Sequence, residues 1–226
     1  MATAYSALNP ADFVYTKPQK SRRGSNTMWI RDPKTGRNVS LHLPRMRAPF
    51  AISKFDDSKP TFNLELNVDD PKIKHFLAEW DKANVNAVTA FKADLFRKGT
   101  SDAAVEAQYR TLAQQKNPAY PPLLRVKVGD RTHVEVVENG KILRRKCSLD
   151  DIVKGSEVQC SLQAVGLYFC NGIWGCTLVC KGLRVFPPAK SKLFDDDFPM
   201  EESDDEAKMG PGLAYEDDAD ALPTDY

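Results

Sequence analysis

The chain has 226 residues, 42% apolar and 28% charged, enough to bury one substantial core or two small ones. Its formal net charge of +1 hides a split: from Asp195 onward thirteen Asp/Glu face a single base, Lys208, while residues 1–194 carry 31 Lys/Arg against 18 Asp/Glu. A basic body joined to an acidic tail points to a polyanionic partner for the body and a regulatory or partner-binding use of the tail, and away from a metabolic enzyme. No run of about 18 apolar residues occurs, which excludes a transmembrane helix. The start, MATAYSALNPADF, lacks the charged and apolar stretches of a secretory signal, so an intracellular, reducing location is expected.

In chain order, residues 1–26 hold Lys17, Lys20, Arg22 and Arg23 among Pro, Ser and Gly, which predicts a flexible basic arm. TMWI, the turn-rich RDPKTGR and NVSLHLP then predict a first hairpin, with Val39, Leu41 and Leu43 alternating against Ser40 and His42. In TFNLELNV, Phe62, Leu64, Leu66 and Val68 share one face. The period next lengthens to about 3.6. Asp70 before Pro71 is a helix start, and Ile73, Phe76, Leu77 and Trp80 form a stripe that Val88, Phe91 and Leu95 extend past polar residues 84–86. Gly99 ends this run. Thr100 or Ser101 caps a second predicted helix carrying Val105, Tyr109 and Leu112 and stopping before Pro118, so a helical insertion is expected over about residues 70–116.

The strand period returns in LLRVKV, where Leu124, Val126 and Val128 face one way and Arg125 and Lys127 the other. HVEVV and KILRR flank the turn signal Glu138-Asn139-Gly140, and Ser148 with Asp151 is close to a capping box. The runs VQCSLQAVGLYFC and IWGCTLVCKGLRVF surround Asn171-Gly172, whose residues tolerate the positive φ of a type I′ turn. The resulting register sets Phe169 opposite Trp174, Tyr168 opposite Gly175, Leu167 opposite Cys176 and Val165 opposite Leu178. Strands rich in Gly and Pro turns, with helices inserted as one block, predict a mainly β fold, a small barrel or sandwich with helical decoration.

Basic residues are spread over the predicted strands: Arg45 and Arg47 beside His42, Arg125 and Lys127 on one strand face, Arg144, Arg145 and Lys146 in a row, then Lys181 and Arg184. Any one of them fits a solvated strand face, but their sum exceeds what solubility requires, and phosphate neutralisation is the commonest use of such an excess. Tyr168, Phe169 and Trp174 are interleaved with these bases. Binding of single-stranded nucleic acid combines a cationic groove with aromatic side chains on which bases stack. Tyr168 and Trp174 are candidate stacking residues, with core packing the competing reading; for Phe169 core packing is the better one.

Enzyme signatures are absent: there is no Walker loop, no G-x-G-x-x-G after a strand, no H-E-x-x-H and no G-x-S-x-G. Cys147 beside Arg144, Arg145 and Lys146 has no neighbouring histidine to act as its base. The five cysteines, at 147, 160, 170, 176 and 180, form no C-x-x-C pair and read as free thiols. His42, His75 and His133 have no ligand partner at i+3 or i+4, so neither a metal nor a cofactor is expected.

From about residue 120 to 186, PPLLRVKV, SLDDIVKGSEV and the paired runs VGLYFC and IWGCTLVCKGLRVF, together with an acidic tail ending Thr224-Asp225-Tyr226, resemble the single-stranded DNA-binding proteins of short-tailed coliphages and their relatives in large DNA viruses of algae and amoebae. The resemblance implies an OB-like five-stranded β-barrel, here over residues 27–194, and a disordered acidic tail over 195–226. It further implies a non-enzymatic protein that coats single-stranded DNA during viral replication, recombination or repair, in the host nucleus or at a viral replication site. Asp220, Asp225 and Tyr226 would contact DNA polymerase and helicase-primase; a homodimer is compatible with the pattern, and no membrane is involved. The chain departs from that pattern in ending on Tyr226 rather than Phe and in the GPGLAYE segment that interrupts the tail. A different class also fits the charge split: an acidic-tailed histone chaperone or a virion structural protein, whose tail would bind basic proteins.

Overall fold

Five strands of alternating burial carry the fold: β1 (Ser40–Arg47), β2 (Thr61–Asn67), β3 (Leu123–Glu138), β4 (Glu157–Cys170) and β5 (Ile173–Phe186). They are taken from a computed structural model that describes residues 2–20, 25–54, 61–143 and 147–188. The candidate residues Arg144, Arg145, Lys146, Asp220, Asp225 and Tyr226, and the whole acidic tail, lie outside the described residues. In the sheet, β1 pairs antiparallel with β4, β4 with β5, and β2 with β3, while β3 and β5 run parallel. The order β1-β4-β5-β3-β2 with one parallel pair is that of an OB-like fold, a partly open five-stranded Greek-key barrel. Inside it, Leu41, Leu43, Leu64, Leu66, Leu124, Val126, Val128, Val158, Leu162 and Val185 are buried. Removing these alternate apolar faces from water is the main stabilising term.

The β4–β5 hairpin forms around Asn171 (φ 51°) and Gly172 (φ 76°), with Phe169 opposite Trp174 and Tyr168 opposite Gly175. The expected pairing of Val165 with Leu178 is corrected: a bulge between Ala164 and Gly166 puts Ala164 opposite Leu178 and Gly166 opposite Thr177. Gly166 has a φ of +147°, and a Cβ there would press into the Met28 carbonyl. The bulge thus lets residues 26–28 add to the edge of β4, where Met28 pairs with Leu167 and Thr27 with Tyr168. LLRVKV and HVEVV belong to a single strand, β3, whose pairing with β5 breaks between Val128 and His133.

The helical insertion starts as the sequence implies. Helix α1 (Pro71–Ala90) is capped by Asp70, whose carboxylate accepts from Lys72 N at 2.7 Å, and it buries Ile73, Phe76, Leu77, Trp80 and Val88. It does not weaken at residues 84–86; Asn84 is fully buried. Helix α2 (Asp102–Ala107), capped by Ser101, is only six residues long. The expected continuation through Tyr109 and Leu112 is overturned: Tyr109–Arg110 leave the helix and pair with Trp174–Gly175, Leu112 is buried in the bend that follows, and Ala113–Gln114 pair with Leu124 and Leu123.

The N-terminal segment is not a loose arm over residues 2–20. Thr3–Ala4 pair with β1, Val14–Tyr15 pair with Ile30–Arg31, and Phe13 is buried against Trp80 at 5.2 Å. Tyr5 meets Phe76 edge-on at 5.5 Å. These apolar anchors follow neither a helical nor a strand period, so their packing left no pattern to read.

Candidate nucleic-acid interface

Residues 109–114 form a strap that fills the sheet between the starts of β3 and β5. Each end is held by a two-residue ladder, to β5 and to β3 respectively. On the outer sheet surface beside it stand Arg125 and Lys127 of β3 and Tyr168 of β4; Arg125 is exposed, and Lys127 and Tyr168 are half-buried. A cavity of about 400 Å³ is lined by Tyr109, Arg110, Thr111, Gln114, Lys116 and Arg125. Its three cations converge with no acid among the lining residues. Arg125 is paired with Glu65 on β2, whose carboxylate accepts from Arg125 Nε at 2.9 Å and from Nη2.

Tyr168 lies over the bare Gly175, where a Cβ would come 3.0 Å from its hydroxyl and 3.2 Å from the Arg110 carbonyl. Burial pushes the Tyr168 phenol up, and Cys176 and Cys170 act in the same direction; Arg110 and Arg125 oppose them. Both guanidinium groups are therefore close enough to bear on this ring. The loop that leaves the strap carries Tyr120, which is 67% exposed, and its backbone is fastened by Gln115 Nε2 donating to the Tyr120 carbonyl at 2.8 Å.

Of the two readings of Trp174, the structure favours core packing over base stacking. The residue is 0% exposed, its Nε1–H donates to the Val105 carbonyl at 2.8 Å, and its ring lies 4.3 Å from Tyr109 and 5.9 Å from Phe169. The α2 turn and the strap cover the side of the hairpin that the sequence left open. Phe169 packs in the same cluster, against Phe96 and Trp174.

The structure does not bring all the expected cations together. Arg45 is opposite Gln159 and Arg47 opposite Glu157, nine and eleven residues from Tyr168 along β4, roughly 30 and 36 Å at strand rise. Arg45 lies over the Phe186 ring at 3.5 Å and approaches Glu157 at 3.8 Å. Lys181 is exposed in a separate polar hollow with Arg37, Ser40, Ser161 and Gln163. Arg110 and Lys116 were missed because their segment reads as helix and proline-rich loop. Alternation in YRTLAQ, with Tyr109, Thr111 and Ala113 opposed to Arg110, Leu112 and Gln114, is too short and mixed to signal a strand.

Beneath the strap runs a chain of polar side chains. Tyr15 Oη donates to Asn84 Oδ1 (2.8 Å), Asn84 Nδ2 donates to Tyr109 Oη (2.8 Å), and Tyr109 Oη donates to Asp81 Oδ1 (2.6 Å). The same Asp81 oxygen accepts from Leu112 N at 3.1 Å. Burial pushes the Asp81 carboxyl up to about 6, with the Tyr109 hydroxyl and the Leu112 N–H pulling the other way. A carboxyl raised in the folded state stabilises the fold fully below its unfolded value, and that contribution is lost as pH rises through the folded value. Asp81→Asn removes this titration. From pH 4 to pH 7, the stability of Asp81→Asn should therefore rise relative to the parent by up to about 3 kcal/mol, read as a pH-dependent difference in melting temperature.

No protein-family model matches the chain, and no curated protein matches it in sequence. Among solved structures, it is similar to gp2.5, a single-stranded DNA-binding protein encoded by bacteriophage T7, with a TM-score of 0.47 and 16% identity over 77% of this chain and 100% of that one. It is also similar to the C-terminally truncated single-stranded DNA-binding protein from bacteriophage Enc34, with a TM-score of 0.43 and 11% identity over 78% of this chain and 95% of that one. The same Enc34 protein in complex with single-stranded DNA gives a TM-score of 0.42 and 9% identity over 74% and 93%. At these scores and identities the functional reading rests on the residues of this chain.

Proposed function

We propose that the chain binds single-stranded DNA along the outer surface of β2, β3, the strap and the β4–β5 hairpin, and coats it during viral DNA replication, recombination or repair. The observation that carries this reading is the convergence of Arg110, Lys116 and Arg125 around one groove beside Tyr168. OB-folds use the face of their second and third strands and the adjoining loops for oligonucleotides, and here that face bears Arg125 and Lys127. Cations neutralise phosphates whatever the base, and tyrosine rings stack on any base that a duplex does not hide. Single strands of any sequence are thus the fitting ligand. In an electrophoretic shift, full-length protein should retain an oligo-dT strand and release it only weakly to a duplex competitor of equal length; equal competition by duplex would refute the preference.

The acidic residues 195–226 supply the regulatory half of the proposal. With a net charge of −12, the tail competes with DNA for the cationic groove, and strands that displace it free Asp220, Asp225 and Tyr226 for a DNA polymerase or helicase-primase. A tethered competitor acts at an effective concentration in roughly the millimolar range. Deleting residues 195–226 should raise oligo-dT affinity at low salt, and the gain should shrink as salt rises. Equal affinities for the two proteins at low salt would leave the tail no competitive role.

A further inference from the structure

We propose that Asp81 is a positioning residue for single-strand binding: from helix α1 it holds the strap, through Tyr109 Oη and Leu112 N–H, so that Arg110 is presented to the groove. The inference rests on reading this face as the DNA-binding surface. Its basis is the placement of the two bonds. Tyr109 and Leu112 bracket Arg110, and both donate to the Asp81 carboxylate: Tyr109 Oη to Oδ1 at 2.6 Å, and Leu112 N–H to Oδ1 at 3.1 Å and Oδ2 at 3.3 Å. Leu112 itself is buried, so the strap is pinned from below by an apolar side chain and by its own amide together.

The direction of each bond is fixed by its neighbour. Tyr109 Oη accepts from Asn84 Nδ2 at 2.8 Å, so its single proton is directed to Asp81. Asn84 in turn receives the Tyr15 hydroxyl, which ties the N-terminal segment into the same chain. Among the described residues, the groups that face Asp81 are Tyr109 and Leu112 of the strap, with the Cys176 thiol of β5 and the Tyr15 phenol also near enough to feel its charge. None is a cation. A half-buried carboxylate with no cationic partner among the described residues costs stability, and an apolar side chain of similar size would pack α1 against the sheet at less cost. What an apolar side chain would not do is accept from the Tyr109 hydroxyl and the Leu112 amide. The carboxylate therefore fits a positional role, in which a fixed strap keeps Arg110 from spending binding energy on being ordered.

Two substitutions separate acceptor from charge. Asp81→Asn keeps an oxygen at the Oδ1 position that can take both bonds; Asp81→Leu keeps the volume and removes the acceptor. With full-length protein and fluorescent oligo-dT, Asp81→Leu should weaken binding about three- to tenfold and reduce the salt slope by no more than about 0.7, one phosphate contact. Asp81→Asn should stay within about twofold of the parent, and Tyr109→Phe should behave like Asp81→Leu. In an Arg110→Ala background the losses from Asp81→Leu and Tyr109→Phe should vanish, since the group they position is gone. Unchanged affinity in Tyr109→Phe, or losses that add fully to that of Arg110→Ala, would overturn the positioning role. If Arg110→Ala and Arg125→Ala themselves leave affinity unchanged, the assignment of this face fails, and the inference fails with it for that separate reason. Should Asp81→Leu not fold, Tyr109→Phe alone with the Arg110 cycle decides, because it keeps the ring that packs 4.3 Å from Trp174.

Discussion

Trp174→Ala is expected to destabilise the fold by about 3 to 5 kcal/mol, the range for deleting a large buried aromatic ring. For a chain of this size that corresponds to a fall in melting temperature of about 10 °C. The ring is fully enclosed between Tyr109 and Phe169, and its removal would also leave the Val105 carbonyl without its 2.8 Å donor. Well below the new melting temperature, any loss of oligo-dT affinity should not exceed that of Arg110→Ala, because Trp174 reaches the groove only by supporting the strap. Thermal denaturation beside a fluorescence titration reads both quantities. A normal melting temperature with a tenfold or greater loss of affinity would return Trp174 to the role of a stacking residue.

The combined replacement Arg110→Ala, Lys116→Ala and Arg125→Ala is expected to weaken binding about a hundredfold at low salt and to lower the salt slope by about 2, three contacts at 0.7 each. These side chains are surface groups around the groove, so the melting temperature should move little. Freed from Arg125, Glu65 would add an unpaired negative charge to the same face and deepen the loss. By contrast, Arg45→Ala with Arg47→Ala should have a much smaller effect on a short oligonucleotide, since that pair stands at the far end of β4. A comparable loss from both sets would mean that the strand does not follow the strap side of the barrel.

Much of the scaffold was legible in the residues. Period-two alternation identified β1, β2, β3 and the long hairpin, Asn171-Gly172 set the hairpin register near its tip, and Asp70-Pro71 located the start of α1. Where the reading failed, a long-range contact decided the outcome. The bulge at Gly166 answers to the backbone of Met28, and the end of α2 answers to Trp174 and Asp81, which draw Tyr109 into the sheet and hold Leu112 in the bend beside it. Strand alternation sets Arg125 and Lys127 on one face of β3, and the structure has both, with Tyr168, on the outer surface. For Trp174 the sequence leaves stacking and core packing open for the same reason: alternation says which face a residue takes, and only the fold says what covers that face. Arg110 and Lys116 had no periodic signal at all, and a fully buried Asn84 inside a polar stretch is invisible until its two tyrosine partners are seen.

The most direct test of the account is the affinity of the full-length protein for oligo-dT measured across a salt series, with a duplex of equal length in parallel. Arg110, Lys116, Arg125 and Lys127 as phosphate contacts lead to a slope of log K against log salt of roughly −3, with the single strand bound at least tenfold more tightly than the duplex throughout. A slope near zero, or duplex bound as tightly as single strand, would contradict it.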